Sequence, residues 1–98
     1  MSVDSARDVD DDLAPLPGGD GSAPIDFNTF VLSLSASCMI QLGDLASPGQ
    51  SQDLPSARQT IEILQALEKK TRGNLSGEEE RVIHHVLHDL RQRYIAKL

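Results

Sequence analysis

The feature that most constrains this chain is an uncharged stretch of 17 residues between Asp26 and Asp44. It is short and contains Asn, Thr, Ser and Gln residues, so we expect no membrane span. Its apolar residues recur at helical spacing, which predicts an α-helix that begins at Asp26 and runs to about Gly43. Ile25 and Phe30 occupy the two positions of a hydrophobic staple at the start of this helix.

Both sides of this predicted long apolar helix carry apolar residues. One side is an ordinary core stripe, made of Phe27, Phe30, Val31, Leu34, Cys38, Leu42 and Leu45. The opposite side carries a second apolar stripe, made of Leu32, Ala36, Met39 and Ile40. A helix that is apolar on both sides must be covered on both sides, and the chain has room for only two other helices. The second stripe therefore predicts a surface that binds another protein molecule.

The remainder of the chain predicts a loop over residues 44–53 and a second helix from about Pro55 to Arg72. Asp53 or Leu54 should stand at the entry to the second helix, and Gly73 should end it in a left-handed conformation. The predicted inner face of this helix consists of Ala57, Thr60, Ile61, Leu64 and Leu67.

A third helix is predicted from Gly77 to Lys97, opened by a capping box that runs from Ser76 to Glu79. Its inner face should consist of Ile83, Val86, Leu87, Leu90 and Tyr94, with Val82 and Ile95 at the margins. The short link between helices two and three predicts an antiparallel hairpin. The predicted fold is therefore all-α, with three helices.

Charge is concentrated at the N-terminus. Residues 1–24 hold six Asp residues and one Arg, a net charge of -5, while the remainder, with nine acids and eight bases, is near -1. The first segment is also rich in Pro, Gly and Ser, so we predict a disordered acidic tail over residues 1–24 and a helical domain over residues 25–98. Nucleic acid and anionic membranes select positive surfaces, and we expect neither as the main partner.

The single cysteine, Cys38, cannot form a disulfide within the chain. It lies in an apolar run, which favours a buried free thiol in a reducing compartment. The N-terminus lacks a basic region followed by an apolar run, so no signal peptide is expected. These features predict a cytoplasmic protein.

Several short segments occur in a characteristic order: Phe27-Asn28-Thr29-Phe30-Val31-Leu32-Ser33-Leu34, Leu42-Gly43, Lys70-Thr71-Arg72-Gly73-Asn74-Leu75, Glu78-Glu79-Glu80, and Leu90-Arg91 with Tyr94. Through them, residues 26–95 resemble a bacterial family of short proteins known as domain of unknown function 1844. The resemblance implies a bacterial, helical, non-secreted protein. It implies no activity, because the family is uncharacterised, and it does not extend to the acidic tail.

The strongest candidate for chemistry is the group His84, His85 and His88 on the third helix. His84 and His88 are four residues apart and could share a metal, with Glu80, one turn earlier, as a third ligand. On a helical wheel these histidines lie at the edge of the apolar stripe or away from it, so a solvated helix face is the favoured interpretation.

We predict no catalytic residue, no cofactor and no enzyme activity. The predicted function is a protein-interaction module that binds itself, as a homodimer through helix one, or another protein. The alternative is a small metal-binding protein that uses His84 and His88.

Overall fold

The computed structural model describes residues 25–98, and the predicted tail over residues 1–24 lies outside the described residues. Three α-helices follow one another: α1 over Phe27–Leu42, α2 over Leu54–Thr71 and α3 over Gly77–Ala96. Residues 25–98 contain no β-strand. The predicted all-α class and the three predicted helices are confirmed, and no helix within the same residues is long and apolar enough to cross a membrane.

Helix α1 begins and ends where its capping residues predict. The Thr29 amide donates to Asp26 Oδ1 at 2.8 Å, which satisfies one of the free amides of the first turn. Gly43 ends the helix with a φ of 86°, a left-handed conformation that glycine adopts without steric cost. This turn lets the backbone amides of Asp44 and Leu45 donate to the Met39 carbonyl. The following loop also supports the end of α1, because Gln52 Nε2 donates to the Leu42 carbonyl oxygen at 3.0 Å and Asp53 N donates to the Gln41 carbonyl oxygen at 2.7 Å.

Helices α2 and α3 are also capped by nearby residues. Asp53 Oδ1 accepts from the Ser56 amide at 3.2 Å at the start of α2. The predicted capping box of α3 is present, with Glu79 N donating to Ser76 Oγ at 3.1 Å and Ser76 N donating to Glu79 Oε1 at 2.8 Å. Gly73, with a φ of 86°, occupies the short link between the two helices.

The core lies between all three helices, and each pair of helices is in contact. It consists of Val31, Cys38, Leu42, Ala57, Ile61, Leu64, Ile83, Val86, Leu87 and Leu90. Thr60 is the one buried polar residue of the described chain, and its hydroxyl lies 2.8 Å from Gln41 Oε1 and 3.1 Å from the Ser56 carbonyl oxygen. These hydrogen bonds remove the cost of burying the hydroxyl group.

Two residues that were predicted to lie in the core, Phe30 and Leu45, are instead 44% exposed. Phe30 precedes the buried Val31 by one residue, so its side chain points about 100° away from Val31 around the helix. Leu45 follows the left-handed turn at Gly43, which ends the helix and redirects the chain. The helical periodicity therefore predicted a core stripe that extends further toward both ends of α1 than the observed one.

Contacts between distant residues define how the helices lie. Leu32 of α1 lines a groove with Val82 of α3, and Asp44, just after α1, contacts Lys97 at the end of α3. The shared groove and the ionic contact together show that α1 and α3 run in the same direction. Glu68 in the last turns of α2 lies 3.2 Å from His84 near the start of α3. The antiparallel hairpin of α2 and α3 stays a prediction, with which this contact is consistent.

Candidate interaction surface on helix α1

The side of α1 that faces away from α2 and α3 carries no charged residue. We call it the α1 outer face, and it consists of Thr29, Phe30, Leu32, Ser33, Ala36, Ser37 and Ile40. Six of these residues are exposed, and Ile40 is partly buried. Leu32 is 54% exposed and Phe30 is 44% exposed, which are high fractions for large apolar side chains on one helix face. The next charged residues along the chain are Asp26 and Asp44, beyond the two ends of α1.

The packing of α1 against the core explains why this face is open. Val31, Cys38 and Leu42 are each 0% exposed, so the centre of the inner side of α1 is completely covered by the other two helices. Positions four residues apart share a side of a helix, and the opposite side of α1 therefore faces solvent. Within residues 25–98, helices α2 and α3 pack against the inner side of α1 and leave its outer side uncovered.

Three of the four residues predicted for the second stripe lie on the α1 outer face: Leu32, Ala36 and Ile40. The fourth, Met39, is partly buried and packs against the core instead. Met39 follows the buried Cys38 by one residue and so points about 100° to one side of it. Met39 thus lies at the boundary between the core and the surface, and the outer face is narrower there than the sequence indicated.

Two features next to this face were not predicted from the sequence. Phe30 was assigned to the core, although its side chain protrudes along one edge of the α1 outer face. On the other edge, a groove of about 350 Å³ separates Leu32 from the first turns of α3; it is lined by Leu32, Glu78, Arg81, Val82, His85 and Val86. Val82 was predicted to lie at the margin of the inner face of the third helix, and this position indicated that apolar surface extends beyond α1.

One hydroxyl group of this surface and the two charges at its ends are satisfied within the chain. Ser33 Oγ donates to the Phe30 carbonyl oxygen at 2.8 Å, so an apolar contact over Ser33 need not break a hydrogen bond to water. At one end, the Thr29 amide lowers the pKa of the Asp26 carboxyl group by donating to it. At the other end, Lys97 and then Arg93 lower the pKa of Asp44 by donating to its carboxylate. The two charges that bound the surface are therefore stabilised locally.

A family profile described as "Domain of unknown function (DUF1844)" matches residues 24–96. The chain belongs to the DUF1844 family. No curated protein and no solved structure matches it. The matched residues include all three helices, so both the α1 outer face and the adjoining groove are parts of the DUF1844 domain itself.

The thiol of the DUF1844 domain is enclosed in its core, as predicted. Cys38 is 0% exposed, and its Sγ donates to the Ala57 carbonyl oxygen at 3.5 Å. Burial raises the pKa of this thiol to about 11. Because the thiolate is the nucleophilic form, Cys38 is unsuited to nucleophilic chemistry at neutral pH.

The histidines of α3 lie apart from the α1 outer face, except for His85 in the groove. His84 and His88 are both exposed, and His84 Nε2 lies 3.2 Å from Glu68 Oε2. Over residues 25–98, no group of three or more His, Cys, Asp or Glu side chains could hold a metal ion. The metal-binding alternative for His84 and His88 therefore receives no support from the geometry of this DUF1844 domain.

Proposed function

We propose that this DUF1844 domain is a non-enzymatic protein-interaction module that forms a homodimer through the α1 outer face. The observation that carries the proposal is an exposed, uncharged helix face on the far side of a fully covered core stripe. Leu32, 54% exposed, lies on one side of α1, while Val31 beside it is 0% exposed. In a domain this small, leaving such a face uncovered forgoes a sizeable part of the available hydrophobic stabilisation.

A second copy of the chain is the partner that this surface suits. A charged surface repels its own copy or must bury unpaired charge, whereas the α1 outer face carries no charge to repel or bury. It also offers no charged group with which a charged partner could pair. Between Leu32 and Ile40 lie the small side chains of Ser33, Ala36 and Ser37, which allow a second helix to approach closely.

The size of the face sets the expected strength of the dimer. A helix of 16 residues such as α1 is about 24 Å long. Contact between two such helices alone would lie at the low end of protein interfaces, below about 1,200 Å² of total buried area. We therefore expect a dimer that dissociates in the micromolar range, roughly a Kd of 1–100 μM.

The chain's own chemistry supports a non-enzymatic function. The thiol of Cys38 is buried with a raised pKa, and His84 has a single carboxylate neighbour, Glu68. His84 and Glu68 line one open pocket of about 300 Å³, where the Glu68 carboxylate is already paired with Arg72 at 2.9 Å. Association through an apolar face, by contrast, needs no such constellation.

The test is the mass of the full chain by light scattering across a hundredfold range of concentration. We expect the mass to rise from 10.6 kDa toward twice that value as concentration increases. Leu32→Glu and Ile40→Glu should each keep the protein monomeric, because the dimer would bury an unpaired charge. Met39→Glu is a poor probe, since Met39 packs against the core.

Ile63→Glu is the matched control, because Ile63 is 53% exposed on α2, almost the same fraction as Leu32. It adds the same charge to an equally exposed position away from α1. Circular dichroism would verify that each variant is folded. A wild-type chain that stays monomeric at every concentration would contradict the proposal. So would a dimer that Leu32→Glu and Ile63→Glu weaken equally.

A further inference from the structure

We propose that the two copies associate with their α1 helices parallel, and that Phe30 of each copy inserts into the groove between α1 and α3 of the other. The groove is the one lined by Leu32, Glu78, Arg81, Val82, His85 and Val86. This inference rests on the proposed homodimer and specifies its geometry.

The α1 outer face has unlike edges. Phe30 and Leu32 are two residues apart and therefore point about 160° away from each other around the helix. Phe30, 44% exposed, protrudes on one edge, and Leu32, 54% exposed, borders the groove on the other. The surface thus carries a protruding aromatic ring on one side and an apolar recess on the opposite side.

Symmetry then determines which edges meet in a dimer. Two copies of one face can be related by a two-fold axis parallel to α1 or by one perpendicular to it. The parallel axis places each edge against the unlike edge of the second copy, whereas the perpendicular axis places each edge against its own kind. Only the first arrangement brings Phe30 to the groove of the second copy. Phe30 and Leu32 differ by about 3 Å along the helix axis, so the Phe30 ring has to reach only that far along the axis to meet the groove beside Leu32 of the second copy.

The groove has the chemistry that an aromatic ring requires. Val86 is 6% exposed and Val82 is partly buried, so they form an apolar floor beside Leu32. Arg81 also lines the groove, and a guanidinium group can interact favourably with the face of a phenyl ring. A recess of about 350 Å³ is open enough to admit one ring without displacing the floor.

The area needed for a stable dimer also favours this arrangement. Contact between two α1 helices alone is small for a specific interface. The groove is continuous with the α1 outer face, because Leu32 belongs to both. Insertion of Phe30 occurs twice in the symmetric dimer, and it adds apolar contact at both edges of the interface.

Cysteine cross-linking of the full chain tests the parallel arrangement. Thr29→Cys, Ser33→Cys and Ala36→Cys place one thiol at a time along about 10 Å of the α1 outer face. In a parallel dimer each of these positions lies opposite its own copy, so all three variants should form disulfide dimers under mild oxidation. In an antiparallel dimer only the position nearest the two-fold axis can do so.

Two controls set the background of the cross-linking experiment. The wild-type chain carries only Cys38, which is buried and should not cross-link. Ser51→Cys places a thiol on the exposed loop between α1 and α2 and reports random collisions. Cross-linking of the three α1 variants should exceed that of Ser51→Cys at least tenfold.

A double-mutant cycle tests the insertion of Phe30. Phe30→Ala should raise the dissociation constant of the dimer at least tenfold, and Val82→Ala should raise it by a smaller factor. Because the two side chains would contact each other across the interface, the double variant should be weakened less than the product of the two factors. Ile95→Ala, at a 62% exposed position of α3 outside the groove, should leave the constant unchanged.

The results separate this inference from the proposed function. If the wild type is a dimer and only one of the three cysteine variants cross-links, the parallel arrangement is overturned and dimerisation through α1 is preserved. A dimer that Phe30→Ala leaves unweakened would overturn the insertion of Phe30 in the same way. A wild-type chain that is monomeric throughout would overturn both.

Discussion

The ammonium group of Lys97 lies 2.7 Å from Asp44 Oδ1, and this contact joins the end of α3 to the turn that follows α1. Arg93 Nη1 lies 3.1 Å from the other carboxylate oxygen of Asp44. Arg93 Nε also donates to Asp89 Oδ2 at 2.9 Å. Arg93 of α3 and Lys97, the residue that follows α3, thus hold one carboxylate, which keeps the end of α1 against the end of α3.

Asp44→Asn should lower the midpoint of urea denaturation slightly at pH 7, because both ionic contacts are lost while the shape is kept. The folded pKa of Asp44 is lowered by Lys97 and Arg93, so its contribution is present above the unfolded pKa. It is lost as pH falls through the folded value. The difference between variant and wild type should therefore shrink below about pH 4. An equal difference at pH 7 and pH 3 would contradict this prediction.

Leu64→Ala should destabilise the domain strongly, because Leu64 is 0% exposed at the centre of the core. Removing a buried leucine side chain costs about 2–5 kcal/mol, which is a large share of the free energy of unfolding of a small domain. Ile63→Ala is the matched control, since Ile63 is the residue next to Leu64 and its side chain is 53% exposed. Urea denaturation followed by circular dichroism should place the control within about 1 kcal/mol of wild type. Similar losses for both variants would mean that Leu64 does not lie in the core.

Ser76→Ala should cost about 1 kcal/mol of stability, because it removes the acceptor for the Glu79 amide at the start of α3. The same measurement on Ser51→Ala serves as the control, since Ser51 lies in an exposed loop. Amide hydrogen exchange should show faster exchange of the Glu79 amide in Ser76→Ala. Unchanged exchange there would argue against the capping box.

Cys38 should react very slowly with a thiol reagent such as DTNB in the native protein at pH 8. With a pKa raised to about 11 by burial, about one thiol in a thousand is ionised at that pH, and the side chain is also shielded from solvent. In denaturant the same thiol should react within seconds to minutes. Rapid reaction of the native protein would show that α1 separates readily from α2.

The ends of the helices could be predicted from the sequence because capping depends on residues three or four positions apart. Asp26 with Thr29, and Ser76 with Glu79, form hydrogen bonds that the local spacing alone makes available. The inner faces of α2 and α3 were also predictable, since polar residues mark their outer sides. Ala57, Thr60, Ile61 and Leu64 are all buried as predicted.

The candidate surface was only partly predictable. The uncharged stretch indicated that α1 has a second apolar side, but a helix without charged residues offers no polar side from which its orientation can be read. Phe30 was therefore placed inside and Met39 outside, and the structure reverses both assignments in large part.

By itself, the sequence determined that the described chain forms three helices, where each helix begins and ends, and that α1 lacks charge, because these properties depend on residues close together in the chain. Only the tertiary structure decided which side of α1 is open, that a groove forms between Leu32 and Val82, and that Asp44 meets Lys97. These pairs are about 50 residues apart in the sequence, so no local periodicity could bring them together. Their proximity follows from the packing of the three helices around one shared core.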